Sequence, residues 1–373
     1  MSYLSVSTPT LLLNTQVCRR NINWLVEKCR RLGTGLNPHF KTHQSAEIGR
    51  WFYEAGVRRI TVSSLAMAEY FADDGWDDIT LAFPANVREM PRINRLAGRV
   101  RLTLDVISAE TARYLARHLG HPVEVLIEVD AGYGRTGIPV QDTKRIGELL
   151  NAIAKAPNLN LYGFYIHAGH TYDVHGREAV ARIHQQSMDA LGHLQAQYGD
   201  DHPEMQLSLG DTPSCSIMEN FSGISEIRPG NAVFYDVMQA EIGSCAYEDI
   251  AVALAAPVVA KEPARHEVVV HGGGIHLAKD HLETKAAGRI YGRVVELSED
   301  GWGAPLNLAE NYVRKLSQEH GIIRLSEEAY ERTALGGLLG ILPIHSCLSA
   351  DCMGGYLTEH GSYIPMLNWR RQM

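Results

Sequence analysis

A (β/α)8 TIM-type barrel followed by a smaller, mostly β domain is the α/β fold class that this sequence predicts, and three observations predict it. Strand-like and helical patterns alternate about eight times between Gly35 and Arg228. Their spacing, about 27 residues per strand–helix unit, fits the ~250-residue norm for such barrels. After about Tyr235 the helical periodicity fades, and short β-rich runs separated by Gly, Pro and Asp take over. An open doubly wound sheet is the rival, but no dinucleotide-binding glycine fingerprint follows the first strand. The expected domains are 14–235 for the barrel and 236–373, joined by 1–13, for the β domain.

In chain order, Thr8-Pro9-Thr10-Leu11-Leu12-Leu13 reads as an extended segment able to add a strand to the β domain. From about Gln16 to Leu32, Val17, Ile22, Leu25, Val26, Cys29 and Leu32 recur at helical spacing, with Arg and Lys on the other face. Barrel strands are expected at Gly35–Lys41, Arg59–Ser63, Ile79–Phe83, Val100–Val106, Val123–Asp130, Leu159–His167, Met205–Leu209 and Ile224–Arg228. Helical patterns lie between them, including Ser45–Ala55, Ser64–Asp74, Ala109–His118, Val140–Ala156 and Arg177–Tyr198. Strands of the second domain are expected at Val252–Val259, Glu267–Val270, Gly288–Leu297 and Gly321–Leu325.

At 373 residues the chain is longer than one compact core usually needs. A formal net charge of -8 gives no reason to expect nucleic acid or an anionic membrane as partner. No apolar run approaches the ~20 residues of a membrane span. Met1-Ser2-Tyr3-Leu4-Ser5 lacks a basic stretch followed by an apolar core, so no signal peptide is expected and the cytoplasm is the default. The 6 cysteines are irregularly spaced and do not form a disulfide framework. Cys18, Cys29 and Cys245 read as small buried apolar residues.

Barrels carry their chemistry at the C-terminal ends of the strands. The first expected strand runs into Asn37-Pro38-His39-Phe40-Lys41-Thr42-His43-Gln44. Most lysines are solvated surface charges. One held in a cleft loses solvation, so its pKa falls and its amine can form a Schiff base with an aldehyde cofactor. The fifth strand leads into Asp130-Ala131-Gly132-Tyr133-Gly134-Arg135-Thr136-Gly137, and the sixth ends in Tyr165-Ile166-His167-Ala168-Gly169-His170-Thr171-Tyr172. After the seventh comes Gly210-Asp211-Thr212-Pro213-Ser214, whose backbone amides and hydroxyls suit a phosphate. Arg228-Pro229-Gly230-Asn231 follows the eighth, and barrel phosphate sites are commonly built from these last two loops. Taken singly, each is most often a plain turn; their joint order is the signal.

Together these motifs resemble the fold-type III pyridoxal-phosphate enzymes with an alanine racemase-like barrel, and within them the D-serine dehydratase / D-threonine aldolase branch. The resemblance covers nearly the whole chain. It implies Lys41 as the Schiff-base lysine and His167 and Tyr172 as further catalytic groups. It also implies a pyridoxal 5'-phosphate site lined by Arg135, Tyr165, His167, Gly210, Thr212, Gly230 and Asn231. Arg228 is a candidate partner of the pyridine nitrogen. Asp211 stands where many relatives have serine, and His271-Gly272-Gly273-Gly274-Ile275-His276 where they often carry Asp-x-Gly.

The closing stretch Pro343-Ile344-His345-Ser346-Cys347-Leu348-Ser349 looks like the branch's metal motif. In a strand, His345 and Cys347 would share one face, and imidazole with thiolate suits Zn2+; Mn2+ and Mg2+ are the other candidates. The plain alternative is an edge histidine and a buried cysteine. Gln318-Glu319-His320-Gly321 also matches a stretch of the family, at most behind the direct ligands.

Three readings follow. The first is a metal-assisted lyase on D-3-hydroxy amino acids, working as a homodimer. Its reaction is dehydratase-like β-elimination to a 2-oxo acid and ammonia, with retro-aldol cleavage to glycine and an aldehyde as the alternative. An amino-acid racemase, the second, has no use for His345-x-Cys347. The third, a non-catalytic cofactor carrier, would lack the roughly 135 residues that follow the barrel.

Overall fold

The computed structural model describes residues 3–299 and 301–367. It forms two compact units, Trp24–Gly230 and Met1–Asn23 with Asn231–Met373.

The unit Trp24–Gly230 contains eight parallel strands in sequential order: Gly35–Leu36, Ile60–Val62, Asp78–Pro84, Arg101–Asp105, Val123–Asp130, Leu159–His167, Gln206–Gly210 and Glu226–Ile227. The eighth strand pairs with the first, and a parallel bridge between His39 and Thr61 joins the first strand's continuation to the second. A barrel results, as the alternation predicts. Its first strand differs from expectation, because regular pairing ends at Leu36 rather than Lys41. Pro38 has no amide to give. The segment stays extended all the same: Asn37 and His39 donate to Ile227 and Pro229, and Phe40 donates to Thr61. Lys41 therefore stands in the turn just beyond the strand. Helices Ala46–Glu54, Leu65–Asp73, Ala109–His118, Thr143–Ala154 and Arg177–Tyr198 lie within the expected ranges, and Met90–Ala97 supplies a further crossover.

Inside the barrel an ionic layer fills the end where the strands begin. Arg59 pairs with Asp78 (2.8 Å) and Glu124 (2.9 Å), and its guanidinium lies over the Tyr162 ring. Tyr162 and Ser208 donate to Glu226, each at 2.9 Å. Buried charges persist where partners satisfy them. Gly163 allows the close approach of the sixth and seventh strands at φ +156, where a Cβ would fall inside the Gln206 carbonyl. Gly163→Ala is expected to cost at least about 2 kcal/mol, measured as a lower denaturation midpoint.

The other unit is built on a nine-stranded sheet ordered Glu267–His271, His320–Arg324, Tyr312–Leu316, Gly292–Val295, Leu338–Pro343, Val252–Glu262, Thr10–Leu13, Gly355–Thr358 and Tyr363–Pro365. Val252–Glu262 also pairs with Glu267–His271, which closes the first six strands into an antiparallel barrel. Alternate residues Leu254, Ala256, Val258, Val268, Val270, Val294, Ile323 and Ile341 pack its interior. Thr10–Leu13 joins Val252–Glu262, as the extended segment predicts. Gly288–Leu297, expected as one strand, is two in separate sheets, broken at Tyr291.

Candidate active site

At the barrel's C-terminal end, Lys41 follows the first strand with its amide 3.3 Å from His39 Nδ1. Gln44, three residues on, holds φ +46, a costly conformation for a non-glycine residue that clusters at functional sites. Burial first, and then the Lys41 charge, hold His39 well below the ordinary histidine range. The same causes in the same order, reinforced by Arg135, lower His167 to about 3. Neutral His167 donates from Nδ1 to the Gly210 carbonyl (2.6 Å), which leaves Nε2 as an acceptor.

Tyr165 is buried. Its hydroxyl donates to Glu128 (3.3 Å), and the Arg228 guanidinium stacks on its ring at 4.0 Å. Arg135 reaches the same Glu128 at 3.5 Å. Asp105 ends the fourth strand, fully buried; burial and the Glu128 charge push its carboxyl well above the usual range. Asp105 and Glu128 carry no motif, so sequence reasoning missed both; a carboxylate closing a barrel strand was the available signal. Tyr133 was also missed, and its ring packs against His167 and His170.

The seventh and eighth strand ends form a tight cradle. A Cβ on Gly230 would meet His39 Cβ at 3.2 Å, and one on Gly210 would meet Arg228 Cβ at 3.2 Å. Thr212 donates its amide to the Tyr172 hydroxyl (3.3 Å). Both terminal nitrogens of Arg228 are buried and make no hydrogen bond among the described residues. Orphaned donors beside a glycine cradle fit a group that brings both a phosphate and a polar ring. Asp211 is spent locally, accepting from the Ser214 amide (2.6 Å) and the Thr171 hydroxyl (3.0 Å) on one oxygen. Burial raises its pKa to about 6 despite those bonds. Its contribution to stability is thus present below the ordinary carboxyl pKa and fades as pH rises through 6. Asp211→Ala is expected to cost about 1 kcal/mol in urea unfolding, whereas Asp211→Asn keeps both bonds and gains on the wild type above pH 6.

In the β-rich unit, the expectation that His345 and Cys347 share a strand face is corrected. The strand ends at Pro343, His345 caps a helix and Cys347 lies in the first turn of Ser346–Met353. The two side chains still meet. Desolvation would lower His345, but the charge of Cys347, hydrogen bonds to Asp280 and Cys347, and the charge of Asp236 outweigh it and raise it to about 11. Asp280 Oδ2 lies 3.3 Å from His345 Nδ1. Asp236, fully buried, accepts from the Ser346 amide (2.9 Å) and from Asn231 Nδ2 (2.5 Å), fixing the turn. The Asn231 side chain is therefore turned toward Ser346 and Cys347, at 3.0 and 3.6 Å. An imidazole and a sulfur side by side form a donor set that fits zinc. Asp236 and Asp280 were missed, since single aspartates in loops carry no spacing signal.

Residues 13–237 match the family described as the alanine racemase N-terminal domain, and residues 251–358 match a serine dehydratase domain. The D-threo-3-hydroxyaspartate dehydratase of Delftia sp. is 29% identical over 99% of this chain and 98% of its own. The D-serine dehydratase of Dictyostelium discoideum is 28% identical over 94% and 93%. A solved structure of the D-threo-3-hydroxyaspartate dehydratase, a cysteine-to-alanine mutant in the metal-free form, superposes with a TM-score of 0.89 at 26% identity, covering 98% of this chain and 99% of that one. The chain belongs to the alanine racemase N-terminal domain family, and within it to the branch of lyases that holds the D-serine dehydratases and D-threonine aldolases.

Proposed function

We propose that this protein is a pyridoxal-phosphate- and metal-dependent ammonia-lyase that converts D-3-hydroxy amino acids to a 2-oxo acid and ammonia. The observation that carries it is the contact of His345 with Cys347, braced by Asp280 and Asp236. A racemase needs no such soft donor pair. When bound, the cofactor supplies an electron sink at the α-carbon and a zinc-class ion supplies Lewis acidity at a hydroxyl. Lys41 Nζ would hold the cofactor and serve as acceptor for the α-proton, and one lysine on one face would admit only the D form. Gly210, Thr212, Gly230 and the Asn231 backbone would hold the phosphate, with Arg228 and Arg135 at the ring. His167, tied through Nδ1 and lowered to about 3, orients rather than acts as a strong base. Tyr172 positions the Thr212 amide.

The test is to incubate purified protein with a panel of D-3-hydroxy amino acids and separate the products. Keto acid with ammonia is expected; glycine with an aldehyde would establish the aldolase instead. The active species is a cytoplasmic homodimer, which light scattering of active fractions checks for subunit number. Among the described residues no helix is long and apolar enough to cross a membrane.

A further inference from the structure

A second cluster of metal-ligand side chains lies in the β-rich unit and shares no residue with His345 and Cys347. His271 ends its strand, His276 lies on the short helix Gly274–Leu277, and Glu319 sits in the turn between Tyr312–Leu316 and His320–Arg324. One ligand atom from each lies within 4.8 Å of the others. His271 Nε2 is 3.3 Å from Glu319 Oε2, and His276 Nε2 is 3.8 Å from that oxygen. Two ligands at about 2.0–2.1 Å from a tetrahedral ion stand about 3.3 Å apart, so small side-chain shifts complete the set.

The backbone beneath is built to hold this arrangement. Gly272 and Gly274 donate to the Glu319 and Ser317 carbonyls at 2.9 and 2.7 Å, and Ile275 donates to Gln318 at 3.2 Å. A Cβ at Gly273 would collide with the Gln318 carbonyl, so the glycine run can dock only without side chains. The Gly273 amide donates to His276 Nδ1 (3.1 Å), so ligation through Nε2 moves the ring proton to Nδ1 and replaces that one bond. His271 and Glu319 are 40% and 45% exposed, which leaves a position for water.

We propose that His271, His276 and Glu319 bind a second divalent transition-metal ion of the zinc class, with water as fourth ligand. The experiment titrates full-length, metal-stripped protein with zinc by calorimetry, with elemental analysis after dialysis. Wild type is expected to take up two equivalents and Cys347→Ala one. In the Cys347→Ala background, His271→Gln and Glu319→Gln are each expected to weaken the remaining event by more than about 100-fold, since even outer partners of a ligand are worth 10–100-fold. Glu319 is a half-exposed turn residue, so its variant should fold, which circular dichroism checks. A Cys347→Ala protein that binds no zinc would overturn the second site. Equal affinity in Cys347→Ala with and without Glu319→Gln would overturn it too. Loss of the lyase reading alone, shown by the product assay, would leave this titration unchanged.

Discussion

Lys41→Ala is expected to reduce turnover of D-3-hydroxy amino acids by at least about a thousandfold, because the proposed function makes this one side chain both nucleophile and proton acceptor. Two further readouts separate this from misfolding. After borohydride reduction and denaturation, wild type should retain pyridoxal phosphate covalently and the variant should not. The Lys41 charge also helps hold His39 and His167 down. Removing it should move both titrations upward in NMR while burial keeps them below the ordinary range. Full covalent retention in the variant would place the attachment elsewhere.

Cys347→Ala is expected to cut elimination by two or more orders of magnitude while leaving the cofactor's absorbance intact. One of two protein donors is lost, and His345 loses the negative partner that raises it. The structural cost should be small, since Cys347 makes a 3.6 Å contact with Asn231 Nδ2 and the turn is held by Asp236. In the wild type, metal should leave as pH falls, because protons compete for both ligands. Unchanged activity after chelation to less than about a tenth of an equivalent of metal would rule the role out.

Much of the site could be read in the sequence because a parallel barrel puts successive strand ends on one rim. Motifs after the first, fifth, sixth, seventh and eighth strands had to be neighbours once the alternation was read, and Lys41, His167 and Arg228 sit on that rim. What escaped was chemistry without pattern. Asp105 and Glu128 look like any strand carboxylates until burial sets them beside Tyr165 and Arg228. The Tyr165 hydroxyl donates to Glu128, a partner that no spacing rule foresees.

The sequence by itself determined the alternation, the barrel, the β-rich second unit and the joined N-terminal strand. These follow from periodicity and residue type, which are local properties. Only the tertiary structure decided how donors meet. A period of two would have put His345 and Cys347 on one strand face. Instead Pro343 ends the strand and Asp236 captures the Ser346 amide, so a helix starts between the two residues and brings their side chains together from its cap. Hydrogen-bond capture by a residue more than a hundred positions away leaves no trace in local periodicity, and the same is true of the closure of six β strands around Leu254 and Ile341.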